Sequence, residues 1–105
     1  MKAVVIEEQV GSFREIELDI HPKKNEVFKI LKGVGTFVGQ WPESDVVIMK
    51  CRESIMELCE NKNKMPEPFD KEHIMGPILF IRMDENADHQ DLTLDECVRR
   101  GWCKL

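Results

Sequence analysis

Apolar positions in this chain fall into two kinds of run. Ala3 to Ile6, Val46 to Met49 and Ile78 to Ile81 are continuous stretches of mostly β-branched, aliphatic and aromatic residues. Short uninterrupted runs of this kind, bounded by turn residues, predict strands buried on both faces. From Phe13 to Ile20 the pattern changes. Phe13, Ile16 and Leu18 are separated by Arg14, Glu15, Glu17 and Asp19. From Ile16 onward the period is two, which predicts a strand with one solvated face. Val10-Gly11-Ser12 predicts the turn that makes these first two strands neighbours. Gly33 to Trp41 predicts a further strand, joined to the 46–51 strand by a turn at Pro42-Glu43-Ser44.

Two segments carry helical spacing instead. In His21 to Gly33, Pro22 suits a first turn, and Val27, Phe28 and Leu31 share a face with Ile30 beside it. Gly33 is placed to supply a left-handed cap. In Leu92 to Trp102, Thr93 and Glu96 predict a capping box, and Leu92 with Cys97 a hydrophobic staple. Gly101 falls at C′, which turns Trp102 back toward Cys97 or Val98. Arg52 to Lys64 reads as a short helical or irregular excursion, and Pro66 to Pro77 as a loop. The fold class expected is α+β: a single domain over residues 1–105, about five mostly antiparallel or mixed strands, and two helices on one face. Two helices are too few to cover both faces of a parallel sheet.

Composition narrows the function classes. The net charge of −5 disfavours a dedicated nucleic-acid binder, which needs a basic face to displace counterions. No apolar stretch is long enough for a secretory signal or a membrane span, so no membrane association is expected and the expected setting is intracellular. Cys51, Cys59, Cys97 and Cys103 contain no C-x-x-C pair. They are expected to be reduced, buried and small, with no zinc site. Gly33, Gly35 and Gly39 have neither the spacing nor the strand-to-helix setting of a phosphate loop. Gly35 and Gly39 fit a bulge or a close backbone approach better. Asp84, Asn86 and Asp88 imitate the start of a calcium loop. His89 stands where that loop needs glycine, and a strand precedes it where a helix should. No nucleophile motif is present, and a triad drawn from Cys51, His73 and Asp70 has no spacing to support it. No cofactor is expected.

The best remaining candidate surface lies around Pro66 and Pro68. Two prolines fix φ, favour an extended run and present Phe69 and Asp70 rigidly, with His73 in the turn that follows. Rigid loops on a scaffold are where function concentrates. Trp41 joins the candidates because a ring there, or at Phe69, could stack on a base while a lysine or arginine held a phosphate.

The stretch from Asn61 to Arg99 contains PFD (68–70), RMDEN (82–86) and TLDE (93–96) in order. It resembles small uncharacterised proteins of chlorella viruses and other large algal DNA viruses. Met1 to Glu7, the glycine-ended helix and the strand after it are similar to a short phage and plasmid domain of unknown function. These resemblances imply a viral or mobile-element origin and an intracellular host setting. They imply no reaction. The expected function is a non-enzymatic binding or regulatory module with a protein partner. The alternatives are a small-ligand binder, for instance of a nucleotide, and a minor virion component.

Overall fold

The computed structural model describes residues 1–19, 21–52, 60–63, 65–66, 69, 74–84, 86 and 88–103. Among the described residues six strands form: β1 (Lys2–Ile6), β2 (Phe13–Glu17), β3 (Gly35–Trp41), β4 (Val46–Cys51), β5 (Ile78–Met83) and β6 (His89–Gln90). The helices are α1 (Glu26–Leu31) and α2 (Leu94–Arg99). All described pairings are antiparallel, in the order β2-β1-β5-β4-β3. The two-residue β6 pairs with Arg82 and Met83 of β5, beyond the end of β1. The α+β class and the antiparallel sheet are as the pattern predicts.

The continuous runs occupy the middle of the sheet, so their alternate residues face opposite ways. Val4, Ile6, Val46, Ile48, Ile78 and Phe80 build one core with Leu92, Cys97 and Cys103. Ala3, Val5, Val47, Leu79 and Ile81 build the other with Leu18 and Leu31. The helices therefore divide between the faces, α2 on the first and α1 on the second, rather than sharing one. A sheet whose central strands are apolar on both sides exposes two faces to water, and each needs a cover.

The first helical segment is shorter than its pattern. Pro22–Lys24 is a 3-10 turn, and Asn25 takes a left-handed conformation before α1 begins. The left-handed cap of α1 is Lys32, φ 62°, rather than Gly33. Gly33 is needed for a different reason: a Cβ there would lie 2.6 Å from the Cys51 sulfur. Leu31 is fully buried, while Phe28 is left half in solvent. The second helix follows its punctuation closely. Thr93 Oγ1 accepts the Glu96 N–H at 3.2 Å. Trp102 N donates to Cys97 O and Gly101 N to Val98 O, the paired bonds of a Schellman cap. One half of the capping box is replaced, because the Glu96 carboxylate turns to Arg82 and Arg100.

Asn61 and Asn63 do more than form a loop. Asn61 is buried, and its Nδ2 donates to Ile6 O at 3.1 Å and to Gly76 O at 3.0 Å. Asn63 Nδ2 donates to Glu7 O and Gln9 O, and its Oδ1 accepts the Gly11 N–H. Together they clamp the β1–β2 turn and the entry to β5.

Candidate functional site

Trp41 ends β3 on the α2 face of the sheet, and four rings meet there. Trp41 and Trp102 stack with centroids 4.2 Å apart and an interplanar angle of 6°. Phe69 meets Trp41 edge-on at 5.3 Å, and Phe80 does so from β5 at 5.6 Å. The Arg100 guanidinium lies over the Trp102 ring at 5.1 Å. Offset and edge-on pairs of this kind contribute about 0.5–1.5 kcal/mol each beyond their buried area. The cluster joins β3, the proline loop, β5 and the strap after α2.

Of the residues singled out in the sequence, the structure brings Trp41 and Phe69 together. The Pro66 carbonyl accepts the Phe69 N–H at 2.9 Å. Pro68, Asp70 and His73 lie outside the described residues. Room for Phe69 comes from Gly39, at a bulge in β3. Glycine at 39 and 35 thus serves close approach, as the pattern predicts, and Gly35 packs against Leu31 and Met49. Trp102 and Phe80 were not among the candidates. Trp102 was legible as a helix cap, but nothing local pairs it with a tryptophan 61 positions away.

Beside the rings lies an ionic clip. Arg82 donates to Ser44 O at 3.2 Å, to Asp91 O at 3.1 Å and to both oxygens of Glu96. Arg100 reaches the same carboxylate at 3.0 Å. The hydrogen bond to Arg82, reinforced by Arg100, holds the Glu96 carboxyl below the usual carboxylate range. Glu96 in turn holds the Arg82 guanidinium in its charged form. The RMDEN arginine thus fastens the β3–β4 turn, the approach to α2 and α2 itself to β5. The adjoining Asp84 carboxylate accepts the N–H groups of Asn86 and Asp88, so it shapes the β5–β6 turn.

The cluster's rings are spent largely on one another. Exposed apolar surface lies elsewhere, on the α1 side of edge strand β3. Phe37 is 60% exposed, Phe28 52% and Val34 51%. Phe28 and Val34 line a recess of about 230 Å³ with Val27, Gly35 and His21. A second recess, about 570 Å³, lies among Glu17, Asp19, Lys24, Glu26 and His89. Its charges are largely engaged: Lys24 pairs with Asp19 at 2.8 Å, and Glu26 accepts the Asp19 N–H. Among the described residues no group of three His, Cys, Asp or Glu side chains is placed to hold a metal. Nor is any described helix long and apolar enough to cross a membrane.

No curated protein and no solved structure matches the chain. A family of unknown function, DUF5880, matches residues 4–99, from within β1 to the end of α2, and the chain belongs to that family.

Proposed function

We propose that the protein is a non-enzymatic binding module whose contact surface is the outer edge of β3 from Gly35 to Gln40, which no described strand pairs, with Phe37, Phe28 and Val34 beside it. The occupant is an extended segment of a partner protein that adds a strand to this edge. The carrying observation is the contrast between the two sheet edges. β2 bears Arg14, Glu15 and Glu17 within five residues, the usual protection of an edge against pairing. β3 runs seven residues from Gly35 to Trp41 without a charge and presents Phe37 at 60% exposure. Strand addition draws affinity from main-chain hydrogen bonds and specificity from alternate side chains. An apolar residue of the partner would sit between Phe37 and Phe28. Lys29, exposed on α1, favours an acidic residue flanking it, whereas Lys32 is already paired with Glu8 at 3.3 Å. The resemblance to proteins of large algal DNA viruses makes a host-cell protein the partner within this reading.

A nucleotide-binding reading has less support, since Trp41 and Phe69 pack on each other and Trp102 covers one Trp41 face. Selection of a displayed random-peptide library on the purified chain tests the proposal. Peptides with alternating apolar positions and an acidic flank should be enriched, and Phe37→Lys should abolish their binding. Enrichment without a common pattern, or binding indifferent to Phe37→Lys, overturns it. So does light scattering that finds a dimer dissolved by the same substitution, which would make the occupant a second copy.

A further inference from the structure

Cys97 and Cys103 lie together in the core under the stacked tryptophans, at 0% and 1% exposure. Cys103 N donates to Cys97 O at 3.3 Å, and both side chains belong to the same buried cluster. A backbone bond of that kind brings the two Cα atoms to a separation on the order of the 5–6 Å that disulfides span. Cys51 belongs to the opposite core and points at Lys32 O, so it does not compete. The described structure thus joins two buried cysteines by a backbone hydrogen bond across the end of α2, at the root of the strap that carries Trp102.

We propose that Cys97 and Cys103 form a redox pair, oxidised by a small disulfide such as oxidised glutathione to a bond that locks the strap in place. The thiolate of Cys103 attacks the glutathione disulfide and releases one glutathione thiol. The Cys97 sulfur, on losing its proton, then displaces the second. One S–S bond breaks in the oxidant and one forms in the protein. Two electrons and two protons end on two molecules of reduced glutathione. Cys97 lies within α2 and Cys103 on the strap beyond it, so Cys103 is the first sulfur to reach the oxidant when the strap opens. Both sulfurs are sealed, so the reaction waits on local opening of the strap, which breaks the Trp41–Trp102 stack. The rate of oxidation therefore reports that opening. The product fixes the stack and with it the Trp41 end of β3.

The test incubates the purified full chain in glutathione buffers of graded oxidised fraction, traps free thiols with a maleimide and digests with trypsin. Cleavage after Arg99 and Arg100 separates the two cysteines, so their disulfide appears as a linked peptide pair. The expected result is that pair as the main product, two maleimide equivalents lost and a melting temperature several degrees higher, all reversed by dithiothreitol. Cys51→Ser should behave as wild type. Cys103→Ser, which leaves the buried thiol of α2 in place, should lose both the linkage and the oxidation-dependent rise in melting temperature. Stable glutathione adducts as the main product, linkage to Cys51 or Cys59, or four free thiols in the most oxidising buffer would each overturn the proposal. A melting-temperature rise that survives Cys103→Ser would do so as well.

Discussion

The Phe69 ring occupies the space that a side chain at Gly39 would fill. The two residues are 30 positions apart and belong to different segments, so the absence of a Cβ at one determines whether the other can reach Trp41. Gly39→Ala should cost roughly 1–3 kcal/mol, the range of core overpacking. Phe69 is half-buried, so Phe69→Ala should cost roughly 2–3 kcal/mol, short of the ~3–5 of a fully buried ring. The two changes should not add. Once the ring is gone, the three nearest atoms that the methyl of Gly39→Ala would meet go with it, and most of its cost disappears. Urea titrations of both single variants and the double variant measure this, and simple additivity would refute the contact.

What was legible in the sequence followed from how local each signal is. β1, β4 and β5 announce themselves because a strand buried on both faces needs no polar alternation. The end of α2 is legible because a Schellman cap is written within six residues, Cys97 to Trp102. The placement of helices was present in the same runs: two apolar faces on the central strands require two covers. Other features depend on distant partners. Asn61 and Asn63 have turn chemistry by composition, and only the fold shows their amides serving carbonyls more than fifty positions away. Likewise Trp41 and Phe69 stand out as aromatics, while their stacking on Trp102 and Phe80 is a product of topology. Lys32 in the left-handed region was hidden because a glycine follows it, and that glycine answers to Cys51 instead.

Asn61 offers a direct measure of the clamp. Its side-chain amide is the donor to two buried carbonyls, Ile6 O and Gly76 O. Asn61→Ala should cost about 2–3 kcal/mol, because unsatisfied buried acceptors cost more than a lost hydrogen bond gains. Hydrogen exchange should then accelerate in the β1–β2 turn before it does in β4. A loss under about 0.5 kcal/mol would mean water satisfies both carbonyls and the clamp is dispensable.

The strap after α2 can be separated from the helix start. Thr93→Ala removes the Glu96 N–H acceptor and should cost about 1 kcal/mol. Trp102→Ala should cost more, roughly 2–4 kcal/mol, since it removes the stack on Trp41, the edge contact with Phe80 and the Arg100 contact. Acrylamide should quench Trp41 poorly in the wild type and several-fold better in Trp102→Ala. Equal quenching in both proteins would place the rings apart in solution.

The Arg82–Glu96 clip predicts a pH dependence of defined sign. Arg82 first and Arg100 second hold the Glu96 carboxyl below its ordinary range in the folded state. A carboxyl lowered by folding contributes stability that is fully present above its unfolded pKa and is lost as pH falls through its folded pKa. The stability difference between wild type and Glu96→Gln should therefore be constant above about pH 5, begin to shrink near pH 4.3, and vanish in stronger acid. Asp19 is also lowered, by Lys24, but it titrates alike in both proteins and cancels from the difference. Arg82→Lys should not restore the wild-type profile. A single ammonium cannot reach Ser44 O, Asp91 O and both Glu96 oxygens as the planar guanidinium does. Denaturant midpoints across this range decide the matter: a difference that grows as the solution is acidified would mean that Glu96 is destabilised in its charged form and that the clip does not hold α2 to the sheet.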